Sequence, residues 1–240
     1  MKATDWEFKN RGLIFGLIFA VAFPLYSVDP RNAADVLGHW LSATLGKDGE
    51  FTVRLLFALA AVLLILAALV RTWASSYLRS EVVYAAQVKT ASLVADGPYR
   101  YVRNPLYFAN VLMAVGMGAM MSRSGFVLAV VAMIVFSYRL IGREESDLLA
   151  SQGEQYERYR KAVPRLWPAF RARVVASNAH ARWLEGFKAE GWYWGFALSV
   201  IAFAITLNIK IFFVVLGASV VLFWASAYWL SRKSESQERA

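Results

Sequence analysis

Six apolar stretches alternate with polar segments along the chain: residues 12–28, 51–70, 106–121, 125–141, 192–207 and 211–230. A bilayer core needs about 20 helical residues to cross, and every backbone group inside it must be satisfied within the segment. With 58% hydrophobic residues in 240, and a mean hydropathy of +0.43, the chain is too apolar for a soluble domain of its size. The expected fold is therefore all-α: a polytopic membrane helical bundle of about six transmembrane helices. The stretch 106–121 is the short one, at about 24 Å as a helix against about 30 Å of hydrocarbon.

Charge sets the expected orientation. With the N-terminus inside, twenty Lys and Arg fall in cytoplasmic segments, against four outside: Arg31, Lys47, Arg123 and Lys210. Both termini are then cytoplasmic by the positive-inside rule, as expected of a protein of a bacterial inner membrane. The stretch 12–28 lacks a small-residue cleavage pattern and is followed by further spans, so it reads as a helix rather than a leader.

Residues 33–45 carry Val36, Leu37, Trp40, Leu41 and Leu45 at helical spacing, which predicts an amphipathic helix on the membrane surface. Residues 144–161 are rich in strong helix formers and should be helical. Residues 170–190 predict a basic, partly amphipathic segment ahead of a span opened by Trp192, and residues 231–240 a disordered tail. Arg71 and Trp73 read as a helix end at the interface.

Some chemistries fall away. The net charge of +9 is scattered over loops, which fits anionic lipid and not a nucleic-acid face. Without cysteine there is no thiolate catalysis, and the two histidines, His39 and His180, have no matched metal partners.

The segment from Gly97 to Tyr107 reads Gly-Pro-Tyr-Arg-Tyr-Val-Arg-Asn-Pro-Leu-Tyr. Its glycine and prolines forbid regular helix, and Asn104 before Pro105 favours an extended residue followed by a helix starting at the proline. Arg100 and Arg103 bring charge, and Tyr99, Tyr101 and Tyr107 bring rings. A second block follows the next hairpin: Arg143-Glu144-Glu145, Leu148, Leu149, Gly153, Tyr156, Tyr159 and Val163-Pro164-Arg165-Leu166-Trp167-Pro168. A tight turn at 122–125 joins the two intervening helices. The feet of those helices should be neighbours, at about 10 Å, enclosing one cytoplasmic pocket.

These two blocks, in this order about a membrane hairpin, resemble the signature of the integral-membrane methyltransferases, the superfamily of isoprenylcysteine carboxyl methyltransferase and phospholipid N-methyltransferase. The resemblance covers residues 88–168, about a third of the chain, and divides it into an N-terminal two-span region with its interfacial helix (1–87), this core, and a C-terminal part of 169–240. One position departs: many carboxyl-methylating members carry His where this chain has Asn104, while Asn is familiar in the wider superfamily.

The resemblance implies S-adenosylmethionine as cofactor and a lipophilic methyl acceptor among membrane lipids. Arg103 or Arg100 would pair with the cofactor carboxylate. Glu144 or Glu145 would receive its ammonium or ribose, or act as base toward an amine acceptor. Tyr99, Tyr101 or Tyr107 would lie over the sulfonium or adenine, with Asn104 and Pro105 shaping the turn. Two competing readings are a membrane reductase that uses NADPH on a sterol- or isoprenoid-like substrate and a non-catalytic membrane protein.

Overall fold

The computed structural model describes residues 2–78, 95–177 and 179–238, with side chains up to residue 226. The domain boundary expected at 87/88 and Arg79, beside the central motif, lie outside the described residues.

Helix α1 (Asp5–Lys9) is short and closed by a capping box in which Thr4 and Glu7 satisfy each other's backbone amides. Helix α2 (Arg11–Ala22) carries the first apolar stretch and tightens at Pro24 into a 3-10 turn, Phe23–Ser27. Helix α3 (Ala33–Leu45) has the bounds expected from its periodicity, since Asn32 caps its start and Gly46, at φ 61°, ends it. It buries Ala34 and Gly38 and leaves Leu37, Trp40 and Leu45 exposed.

Helix α4 (Gly49–Tyr77) is the central post, packed against α3, α5 (Pro105–Gly118) and α7 (Trp183–Thr206). Gly116 of α5 makes the close approach: a Cβ there would lie 2.7 Å from Leu64 and 3.0 Å from the Ala60 carbonyl. Helix α5 begins at Pro105, as expected, because proline at the first turn forgoes no intrahelical hydrogen bond. Ser122 caps α6 (Arg123–Ala162), and the α5–α6 turn is pinned by Asn32, whose amide donates to the carbonyls of Ala119 and Met121.

Residues 144–161 are helical, as expected, and three other expectations need correction. Helix α6 comprises two helical pieces joined at a kink, where Gly153 has φ 54° and ψ −126°. Nothing between Ile141 and Glu144 stops a helix, so the first piece carries straight out of the apolar region. The span expected from Trp192 starts at Trp183, because the preceding amphipathic residues join the same helix. The polar tail is helical to Glu238, as the last turns of α8 (Ile209–Glu238). Arg71 is buried six residues before the end of α4 instead of standing at an interface.

Among the described residues, three helices are long and apolar enough to cross a membrane: Gly49–Tyr77, Arg123–Ala162 and Ile209–Ser226. Arg11–Ser27 and Pro105–Gly118 are shorter apolar helices. The protein is an all-helical integral membrane protein.

Candidate functional site

The first motif block opens with a sharp turn against the C-terminal end of α4. Gly97 has φ 56°, and a Cβ on it would meet the Tyr77 ring at 2.4 Å, so only glycine fits. A 3-10 turn, Gly97–Arg100, follows and buries Pro98 and Tyr99. Tyr101 stays in the helical region (φ −107°, ψ −34°), and Asn104, at φ −124° and ψ 63° rather than fully extended as expected, leads into α5.

A strap formed by residues 163–177 lies antiparallel to this block. Arg103 N–H donates to Pro164 O, Ala169 N–H to Tyr101 O, and Arg173 N–H to Arg100 O, each at 2.9 Å. The Asn104 amide donates to Arg165 O at 2.8 Å, and Arg100 Nε donates to Val174 O at 2.9 Å. Asp96 closes the far end by accepting from the amide and hydroxyl of Ser177. Burial alone would raise its carboxyl, but the Ser177 bonds hold it below the ordinary range.

The feet of α5 and α6 meet under this strap. Tyr107 donates its hydroxyl to Glu144 Oε1 at 2.6 Å. Glu145 sits between two guanidinium groups, with Arg103 Nη2 at 3.0 Å from Oε1 and Arg165 Nη2 at 2.9 Å from Oε2. The side chains of Arg103 and Glu145 are only 9% and 10% exposed. Arg103 also donates to Arg160 O at 2.6 Å, and the Tyr159 hydroxyl donates to Tyr99 O at 2.8 Å. Tyr156 and Tyr159 pack with Val163, holding the strap to α6.

The structure therefore gathers Arg103, Tyr107, Glu144 and Glu145 into one cluster. Tyr99 is buried beneath it. Asn104 and Pro105 form its frame, one tied to the strap and the other fully buried in the first turn of α5. Arg100 and Tyr101 are placed elsewhere: the guanidinium of Arg100 binds the strap, and the Tyr101 ring lies 6.0 Å from Trp73.

Sequence reasoning missed Arg165, whose only signal was a basic residue inside a Pro-rich stop. It also missed the N-terminal brace. Ala3 N–H donates to Arg139 O, Glu7 pairs with Arg139, and Asp5 pairs with Arg143. These contacts dock α1 one turn from Glu144.

Two buried donors in the cluster, Arg103 Nε and Arg165 Nε, have no hydrogen-bond partner among the described residues, while Glu145 Oε1 is held by its ion pair with Arg103. Buried donors without a partner call for an explanation, and a bound ligand is one. The two Nε–H groups can donate to a ligand carboxylate, and Glu145 is the carboxylate beside them. An amino-acid moiety such as that of S-adenosylmethionine fits this donor set. Among the described residues, no three His, Asp or Glu side chains are grouped to hold a metal.

Residues 55–152 match the phospholipid methyltransferase family. The chain is 33% identical over 122 residues to the cobalt-zinc-cadmium resistance protein CzcN of Cupriavidus metallidurans, covering 50% of this chain and 53% of that protein. It is 28% identical over 131 residues to the nickel-cobalt-cadmium resistance protein NccN of Alcaligenes xylosoxydans xylosoxydans, covering 54% of this chain and 52% of that protein. The chain thus spans about half the length of these curated relatives. Over 87 residues it is 37% identical to the protein-S-isoprenylcysteine O-methyltransferase of Schizosaccharomyces pombe, covering 35% of this chain and 36% of that enzyme. No solved structure matches the chain.

Proposed function

We propose, on the premise that residues 55–152 are an integral-membrane module of the phospholipid methyltransferase family, that this protein transfers a methyl group from S-adenosylmethionine to a lipophilic acceptor at the cytoplasmic membrane face. The observation that carries the proposal is the Arg103–Glu145–Arg165 cluster with its two open guanidinium N–H groups. The excess of Lys and Arg at the motif end supports the cytoplasmic assignment.

When bound, the cofactor supplies an already activated methyl group on a sulfonium. The residues need only orient the partners and exclude water. Arg103 and Arg165 would hold the cofactor carboxylate through charge-assisted bonds, and Glu145 would receive its ammonium. Tyr107 fixes one oxygen of Glu144 and leaves the other able to accept a proton from an amine acceptor. For a carboxylate acceptor no base is needed, and the buried setting favours cancellation of opposite charges. The strap, bound through backbone atoms to the first motif block, covers the cluster.

A nicotinamide reductase would need contacts for a dinucleotide's phosphates, and the adjacent carboxylates of Glu144 and Glu145 suit an ammonium-bearing ligand better. Titrating the purified protein with S-adenosylmethionine and, separately, with NADPH tests the reading. Saturable binding of the first alone is expected, whereas binding of NADPH alone would overturn it.

A further inference from the structure

Glu190 of α7 is fully buried, yet the apolar residues around it offer no general reason for a carboxylate. Ionisable groups inside a membrane bundle are costly, and they persist where position or function needs them. Glu190 takes Arg71 of α4 with both oxygens, at 2.5 Å from Nε and 3.0 Å from Nη2, and accepts the Ser75 hydroxyl at 2.7 Å. That grip aims the remaining guanidinium nitrogen, Nη1, at Asn110 of α5, 2.7 Å from Oδ1. The Tyr193 hydroxyl donates to the same oxygen at 2.6 Å, and its ring lies 4.5 Å from the Arg71 guanidinium carbon. The helices can come this close because Gly186 has no side chain: a Cβ there would lie 2.4 Å from the Thr72 carbonyl.

Asn110 stands three residues after Tyr107 on α5, so the two share neighbouring positions on the helix surface. A continuous path then runs from Glu190 through Arg71 and Asn110 to the first turns of α5, and from Tyr107 to Glu144 on α6. Helix α7 lies outside the matched stretch 55–152.

We infer that the Arg71–Glu190 pair, linked to α5 through Asn110, is a positioning clasp by which α7 fixes the rotation of α5 and so the placement of Arg103 and Tyr107 in the cofactor site. The inference rests on the methyl-transfer reading. Its residues are positioning residues, since none touches the proposed ligand. Helix α7 is then a working part of the site and not an appendage to the methyltransferase-like module.

The test uses full-length protein with S-adenosylmethionine as probe, reading thermal midpoint and dissociation constant together. Arg71→Met/Glu190→Leu removes both charges at similar volume and so leaves no unpaired ion, and it is expected to melt with the parent. Its affinity for the probe should fall about tenfold or more, as does a site whose geometry has slipped. Asn110→Leu, which cuts only the link to α5, should do the same. Asn110→Asp, which keeps the acceptor oxygen for Arg71 and Tyr193, should bind as the parent does. Variants that melt and bind like the parent would overturn the clasp while leaving the methyl-transfer reading intact. Loss of folded protein in both Arg71→Met/Glu190→Leu and Asn110→Leu would make the network purely structural and also overturn it. A parent that does not bind the probe would sink the methyl-transfer reading, and the clasp with it.

Discussion

Tyr107 donates its phenolic hydrogen to Glu144 at 2.6 Å, joining the feet of two helices across 37 positions of sequence. Tyr107 is buried and Glu144 is half-buried. Tyr107→Phe should destabilise the protein by about 1–3 kcal/mol, because it leaves a half-buried carboxylate oxygen without its donor. Denaturant unfolding in detergent measures this, and an unchanged midpoint would mean that water replaces the hydroxyl.

The turn into the first motif block depends on Gly97. With φ at 56° and the Tyr77 ring 2.4 Å from any added Cβ, Gly97→Ala combines backbone strain with a clash. A loss of about 1–3 kcal/mol is expected from the strain alone. A variant as stable as its parent, by the same unfolding measurement, would show that the turn relaxes freely.

The N-terminal brace gives a pH dependence. The Arg139 hydrogen bond, helped by the Thr4 amide, holds the Glu7 carboxyl down to about 2 from an ordinary 4.5. A lowered folded pKa means that the stabilisation is complete above about 4.5, declines as pH falls toward 2 and is absent below it. Protection from hydrogen exchange over residues 3–9, taken relative to the intrinsic rate at each pH, should therefore stay high at neutral pH and fall through that window. Glu7→Gln should exchange fast at neutral pH already. Slow exchange in that variant would remove Glu7 as the anchor of α1.

Orientation is open to direct test. Cysteines replacing Lys47 and Ser151 lie at opposite ends of the bundle. In intact cells an impermeant thiol reagent should label the first and spare the second, as the distribution of Lys and Arg requires. Labelling of Ser151→Cys alone would invert the topology.

The parts of the fold that follow from local chemistry were legible in the sequence. The bounds of α3, the start of α5 at Pro105 and the Ser122 turn all come from caps, proline and periodicity. The meeting of Arg103 and Tyr107 with the Glu144-Glu145 pair followed from the shortness of that turn. What stayed hidden has no local signature. Charges begin at Arg143, yet helix formers carry α6 on, so polarity and helix end do not coincide. The strap binds Arg100, Tyr101 and Arg103 mainly through backbone atoms, which any residue could supply. Arg71 and Glu190 are 119 residues apart, and each alone reads as a charge at a membrane edge.

The central claim is that the Arg103–Glu145–Arg165 cluster binds S-adenosylmethionine. Calorimetric titration of the parent, Arg103→Ala and Glu145→Gln with S-adenosylmethionine tests it most directly. Arg103→Ala removes a charge-assisted contact worth about 1.5–3 kcal/mol, so affinity should fall roughly ten- to a hundredfold, and Glu145→Gln should weaken binding as well. Parent-like affinity in both folded variants, or no binding by the parent at all, would contradict the account.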